Sequence, residues 1–148
     1  MKTNQDFAHE FVATLDEKRR MEGLLAEWAV SRAIDKKLFS AMELMLDELV
    51  TNIVLHGFEE VGDSGHIKLT MHFDGERLRA TIRDNARSFD PFSVPAADTT
   101  LSVEARGIGG LGVHFVRQMA TRYQWRRDGK YNEVVIEKCA GPSPKVTE

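Results

Sequence analysis

Gly107-Ile108-Gly109-Gly110-Leu111-Gly112 spells G-x-G-x-x-G, and how that stretch is read decides the fold. As a dinucleotide fingerprint it would need a strand directly before it and an acidic residue about 20 positions on, inside a parallel βαβ unit. The residues before it, Asp98 to Arg106, read as a polar loop, and its helix is followed by a hairpin with no parallel unit. The doubly wound fold is therefore rejected. The glycines keep a second use. They let the backbone approach a phosphate closely, and the helix they open offers unpaired N–H groups at its positive end. A bare flexible linker is the plain alternative, and it fits the start of a helix poorly.

Downstream, Gly109–Arg122 reads as a helix with Leu111, Phe115, Val116 and Met119 on its apolar face. Tyr123–Arg127 and Tyr131–Lys138 form a hairpin around Asp128-Gly129, and Arg126, Arg127 and Lys130 make its tip a solvated basic run. Upstream, Asp84 to Arg106 has little periodicity and carries Pro91 and Pro95, so it is a long loop of the kind usually given over to function. Before it, Ile67, Leu69, Met71 and Phe73 alternate with polar residues, and Leu78, Ala80 and Ile82 do so on a return strand after an Asp74-Gly75 turn.

Two helices come earlier. At 100° per residue, Leu38, Met42, Met45, Leu46, Leu49 and Ile53 fall on one stripe of a helix from about Asp35 to His56, stopped by Gly57. Thr14-Leu15-Asp16-Glu17 has the spacing of a capping box and opens a helix to about Val30, with Leu24, Leu25 and Trp28 inward. Phe7–Ala13 alternates as a first strand. The order β-α-α-β-β-loop-α-β-β predicts an α/β two-layer sandwich, a mixed and mostly antiparallel sheet with three helices on one face.

The length of 148 residues fits a single domain over 1–148, with an ordered core from about 7 to 138 and a disordered tail from 139 to 148. A net charge of -3 argues against general attraction to nucleic acid or to an anionic membrane surface. Cys139 is the one cysteine, which excludes an intrachain disulfide and a Cys-based zinc site and suits a reducing cytosol. The first residues lack the apolar core of a signal peptide, and no run of 18 apolar residues exists to span a membrane. The expectation is a cytoplasmic protein.

Glu48 and Asn52 lie four apart on the second helix, one turn from each other, flanking its apolar stripe. Magnesium takes hard oxygen ligands and keeps several waters, so an amide oxygen plus nucleotide phosphates is a workable set. A carboxylate one turn away can take a proton from an attacking hydroxyl. By themselves the two also read as polar residues on a half-exposed helix face. Asp84 ends an apolar strand, where a carboxylate can accept from an exocyclic amine such as adenine's; Asp and Asn also simply favour turns. Arg106 abuts the glycine stretch and reads equally as a phosphate ligand or as a solvated loop arginine. His56 suits the helix C-terminus, and the other four histidines show no metal spacing.

Taken in order, three segments resemble the GHKL ATPases, and among them the anti-sigma-factor serine/threonine kinases. Asp47-Glu48-Leu49-Val50-Thr51-Asn52-Ile53-Val54-Leu55-His56-Gly57 resembles the N-box, with E-x-x-x-N and a His-Gly ending. Asp84-Asn85-Ala86-Arg87-Ser88-Phe89-Asp90-Pro91-Phe92 is similar to the first glycine box, its F-D-P element being typical of the anti-sigma kinases. Gly107 to Gly112, running into Val113-His114-Phe115-Val116, is similar to the second. The resemblance spans roughly residues 7 to 138.

That resemblance implies a Bergerat-type sandwich binding ATP and Mg2+, with residues Pro91 to Arg106 in an ATP lid. It makes Glu48 the general base, Asn52 the magnesium ligand and Asp84 the reader of the adenine amine. Ala86, Arg106 and the stretch Gly107, Gly109, Gly110, Leu111 and Gly112 would complete the nucleotide site. It also implies phosphorylation of a small STAS-type anti-sigma-factor antagonist, sequestration of a sigma factor and a homodimer, with no direct contact to nucleic acid or membrane. Two positions depart from the pattern. Ala86 stands where glycine is usual, so the turn must avoid the left-handed region or bear roughly 1–2 kcal/mol. The last strand, Asn132-Glu133-Val134-Val135-Ile136, lacks the threonine often found near the adenine. An ATP-dependent partner-switching module with little transfer activity is the alternative. A histidine-kinase catalytic domain ranks third, because no helix pair carries a phosphoacceptor histidine.

Overall fold

The computed structural model describes residues 5–58, 65–93 and 110–141. Among the described residues five strands and three α-helices follow the expected order. They are β1 (Phe7–Val12), α1 (Leu15–Ser31), α2 (Lys36–His56), β2 (His66–Phe73), β3 (Arg77–Asp84), α3 (Gly110–Met119), β4 (Arg122–Asp128) and β5 (Tyr131–Cys139), with a short 3-10 turn at Pro91–Ser93. The sheet order is β1-β2-β3-β5-β4, and every pairing is antiparallel, so the mixed sheet resolves to an antiparallel one. β5 lands between β3 and β4, which brings Asn132 opposite Asp84.

The strands bury one face each. Ile67, Leu69 and Met71 on β2, Leu78, Ala80 and Ile82 on β3, and Val134 and Ile136 on β5 are all buried. They meet Met21 and Leu25 from α1, Met42, Met45 and Leu46 from α2, and Val116 from α3 in one core, while Lys68, Arg79 and Arg126 on the opposite sheet face stay exposed. The three helices therefore cover one face. Thr14 caps α1, its Oγ1 accepting from the Glu17 N–H at 3.1 Å, and Asp35 caps α2 by accepting from the Leu38 N–H at 3.1 Å.

Several inward assignments change, while Leu25 stays inward and Trp28 packs against the core as expected. Leu24 is exposed, and Met21, Leu25 and Ala29 make the buried stripe of α1 with the stem of Lys18. On α2, Val50 is fully buried and Ile53 only partly. In α3 Val116 is buried and Met119 packs against the core as expected, while Val113 turns inward and Phe115 outward. α3 also ends three residues early, because the Thr121 N–H donates to the Glu137 carbonyl at 2.7 Å and draws the chain into the sheet. The basic hairpin run is not simply solvated. Arg126 pairs with Glu133 at 2.6 Å, and Arg127 donates to the Ala86 carbonyl at 3.0 Å. No described helix is long and apolar enough to cross a membrane. The expected tail lies largely outside the described residues.

Candidate functional site

A cavity of about 330 Å³ opens where α2, the end of β3 and β5 meet. That volume falls at the lower end of ordinary small-molecule sites. Leu49, Ile53, Ile82, Val113 and Val134 give it apolar walls, Asp84 and Asn132 supply buried polar groups, and Asn52 sits on the α2 side. Apolar walls with a few fixed polar atoms suit a flat ring whose edge is read by hydrogen bonds.

Asp84 is 3% exposed, in the last position of β3. Its Oδ1 accepts from the Ala86 N–H at 2.9 Å and from Asn132 Nδ2 at 3.0 Å. Burial pushes the Asp84 carboxyl above its ordinary pKa, and those two donors, with nearby Arg127, offset part of that push. The carboxylate is thus desolvated and held from one side.

Ala86 is buried and does not have a positive φ; among the described residues Ala33 alone, apart from glycines, does. The turn therefore avoids the left-handed strain that an alanine there would bring. Its methyl packs instead against Gly57. A Cβ on Gly57 would lie 3.0 Å from that of Ala86 and 2.8 Å from the Ile53 carbonyl oxygen, while Gly57 itself has φ -69°. Gly57 is needed for close approach rather than for a left-handed helix stop.

Glu48 does not line the cavity. It is half-buried one turn before Asn52, and its side chain lies against Gly112 in the first turn of α3, with Cδ 2.7 Å from where a Cβ would stand. The N-box carboxylate and the glycine stretch are brought together in this way. Gly110 opens α3, and Leu111 follows it. Arg106, Gly107 and Gly109 lie outside the described residues, as does the lid stretch from 94 on.

Asn132 drew notice in the sequence only as part of a last strand that lacks a threonine, yet its carboxamide is hydrogen-bonded at both ends. It donates to Asp84 and to the Arg87 carbonyl at 2.8 Å, and it accepts from the Phe89 N–H and the Trp125 indole N–H, each at 3.1 Å. Arg127, and Arg117 donating to the Phe92 carbonyl, pin the same segment from the sheet and from α3. The available signal was parity. Asn132 shares its strand face with Val134 and Ile136, so it is a polar residue at a core position, and such residues need partners.

The model of the histidine kinase-like ATPase domain matches residues 11–138. The chain belongs to that family. Its domain type is thus an ATP-binding one. A solved structure described as the RsbU and RsbW domains of Rv1364c from Mycobacterium tuberculosis is similar over 97% of this chain, with a TM-score of 0.62 at 18% identity. At that identity the likeness shows the shared fold, and this chain spans 35% of that one. No curated protein sequence matches the chain.

The residues present fit an adenine nucleotide. A buried carboxylate in an apolar cavity suits a base amine, an amide oxygen suits magnesium, and a helix N-terminus suits phosphate. Asp84, Asn52 and the start of α3 at Gly110–Gly112 would hold those three parts.

Proposed function

We propose that this chain is a Mg-ATP-dependent serine/threonine protein kinase that phosphorylates a small anti-sigma-factor antagonist and sequesters a sigma factor. The observation that carries this reading is Glu48, kept as a carboxylate one turn from Asn52 and seated against Gly112. ATP binding alone has no need of a base there. ATP would supply the phosphoryl group. Asp84 would bind the base, Asn52 would hold the magnesium, and Glu48 would take the proton of the acceptor hydroxyl at a carboxylate oxygen. The sigma factor, the antagonist and a homodimer are proposed on the resemblance of the three motifs to the anti-sigma-factor kinases, with the F-D-P element at Phe89-Asp90-Pro91.

The same carboxylate favours a second reading, because Glu48 packs on Gly112 and stays out of the cavity lining. A partner-switching module that binds ATP with little transfer would look like this. One experiment separates the two: transfer of labelled γ-phosphate to STAS-type antagonist domains from the same genome, by wild type and by Glu48→Gln. The kinase reading expects ATP binding in both proteins and a transfer rate lower by roughly a hundredfold or more in the variant. Equal rates would remove Glu48 as base. ATP binding without transfer to any of those domains in wild type would favour the module.

A further inference from the structure

Asn132 faces Asp84 across the β3–β5 pair and is 4% exposed. Its carboxamide is fully used inside the protein. The two Nδ2 hydrogens go to Asp84 Oδ1 at 3.0 Å and the Arg87 carbonyl at 2.8 Å, with the Ala86 carbonyl farther off at 3.4 Å. The two Oδ1 lone pairs take the Phe89 N–H and the Trp125 indole N–H. Nothing is left for a ligand, so any effect of Asn132 on one passes through Asp84.

On Asp84, Oδ1 accepts from both Asn132 and the Ala86 N–H, which fills its two lone pairs. Among the described residues nothing donates to Oδ2. We propose that Asn132 is a positioning residue that sets base selectivity. By saturating Oδ1 it leaves Asp84 one accepting oxygen, which suits adenine and excludes the two-pronged contact guanine makes.

The chemistry follows from donor counts. Guanine offers two neighbouring donors, N1–H and the 2-amine, and a carboxylate reads it by giving one oxygen to each. Adenine offers its 6-amine alone on the corresponding edge and needs one oxygen. With Oδ1 occupied, guanine leaves one donor buried without a partner, which is the costly case. This inference rests on reading the cavity as an adenine-nucleotide site, and it adds which residue outside the ligand's reach decides the choice of purine.

The test is calorimetric titration of the full chain with Mg-ATP and with Mg-GTP, in wild type, Asn132→Val and Asn132→Thr. The two variants differ only in a hydroxyl, and both are at ease in a strand. The ratio of the two dissociation constants cancels losses common to both nucleotides. Wild type is expected to prefer ATP. The valine variant should lower that preference by about tenfold, since one hydrogen bond to a charged acceptor becomes open to guanine. The threonine hydroxyl can donate to Oδ1, so that variant should keep the preference while weakening both nucleotides. An unchanged ratio in the valine variant overturns the proposal, as does an equal collapse in the threonine variant. Should the valine variant not fold, Asn132→Ala carries the same expectation. Wild type that binds neither nucleotide contradicts the nucleotide reading itself, a distinct result from binding with an unaltered ratio.

Discussion

Asp84 is a buried carboxylate whose folded-state pKa lies above its ordinary value, with burial as the leading cause. The folded state therefore binds a proton more readily than the unfolded chain. That contribution is present in full below the ordinary aspartate range and is lost as pH rises through the elevated folded value. Above that window the ionised group is a constant penalty. Asp84→Asn keeps an oxygen to accept from Ala86 and Asn132 and removes the charge. Thermal melts between pH 4 and pH 8 should show wild type losing stability relative to the variant as pH rises, with the variant ahead by on the order of 1 kcal/mol at neutral pH. A wild type that gains on the variant with rising pH would contradict this assignment. Gly112 gives a second prediction. A Cβ there meets the flexible end of Glu48, so Gly112→Ala should fold, aided by alanine's helix preference of about 1 kcal/mol, yet displace the carboxylate. Melting and transfer assays together check it, and a folded variant with undiminished transfer would separate Glu48 from the chemistry. At this scale Glu48, Asn52 and Asp84 were singled out by the resemblance of their segments to the family's motifs, since taken singly each also reads as an ordinary helix-face or turn residue. Asn132 was marked only by its parity with Val134 and Ile136, because its partners come from β3, β4 and the segment after β3.

At the scale of elements, α2 carries the N-box and its position is set by its neighbours. Lys18 on α1 reaches Asp47, beside Glu48, at 2.6 Å and Glu22 at 2.5 Å. Burial pulls the Lys18 ammonium down, but its hydrogen bonds to the two carboxylates outweigh that and hold its pKa above the ordinary value. The tie thus fixes α1 against the turn of α2 that bears the candidate base. The cap of α1 is separable from the site. Thr14→Ala removes the acceptor for the Glu17 N–H and should cost about 1 kcal/mol of stability in denaturant melts, with nucleotide affinity unchanged. A loss of affinity as large as the loss of stability would show that α1 order reaches the cavity. Strand and helix positions were readable from periods of two and of 3.6. On α3 the reading held for Val116 and Met119 but not for Phe115, because ten residues give too few turns to fix a stripe and packing turned Val113 inward in its place.

At the scale of the molecule, an antiparallel five-stranded sheet with one helix-covered face leaves its cavity at the end of β3, where α2, β5 and the chain leaving the sheet converge. The order of elements was enough to predict that layering and to reject the doubly wound fold, since hairpins on both sides of the glycine stretch leave no parallel unit. A ligand held by such a convergence stabilises the whole. Mg-ATP at a hundred times its dissociation constant should add about 2.7 kcal/mol. For a chain of this size that is a rise in Tm of roughly 5–10 °C.

The nucleotide site is tested most directly by calorimetric titration of the purified chain with ATP, with and without magnesium, beside Asp84→Asn. Magnesium-dependent binding is expected in wild type, with at least a tenfold loss in a variant that is no less stable than wild type. Wild-type protein that is folded and binds no ATP, or an Asp84→Asn variant that binds it equally well, would contradict the claim that this cavity is the nucleotide site.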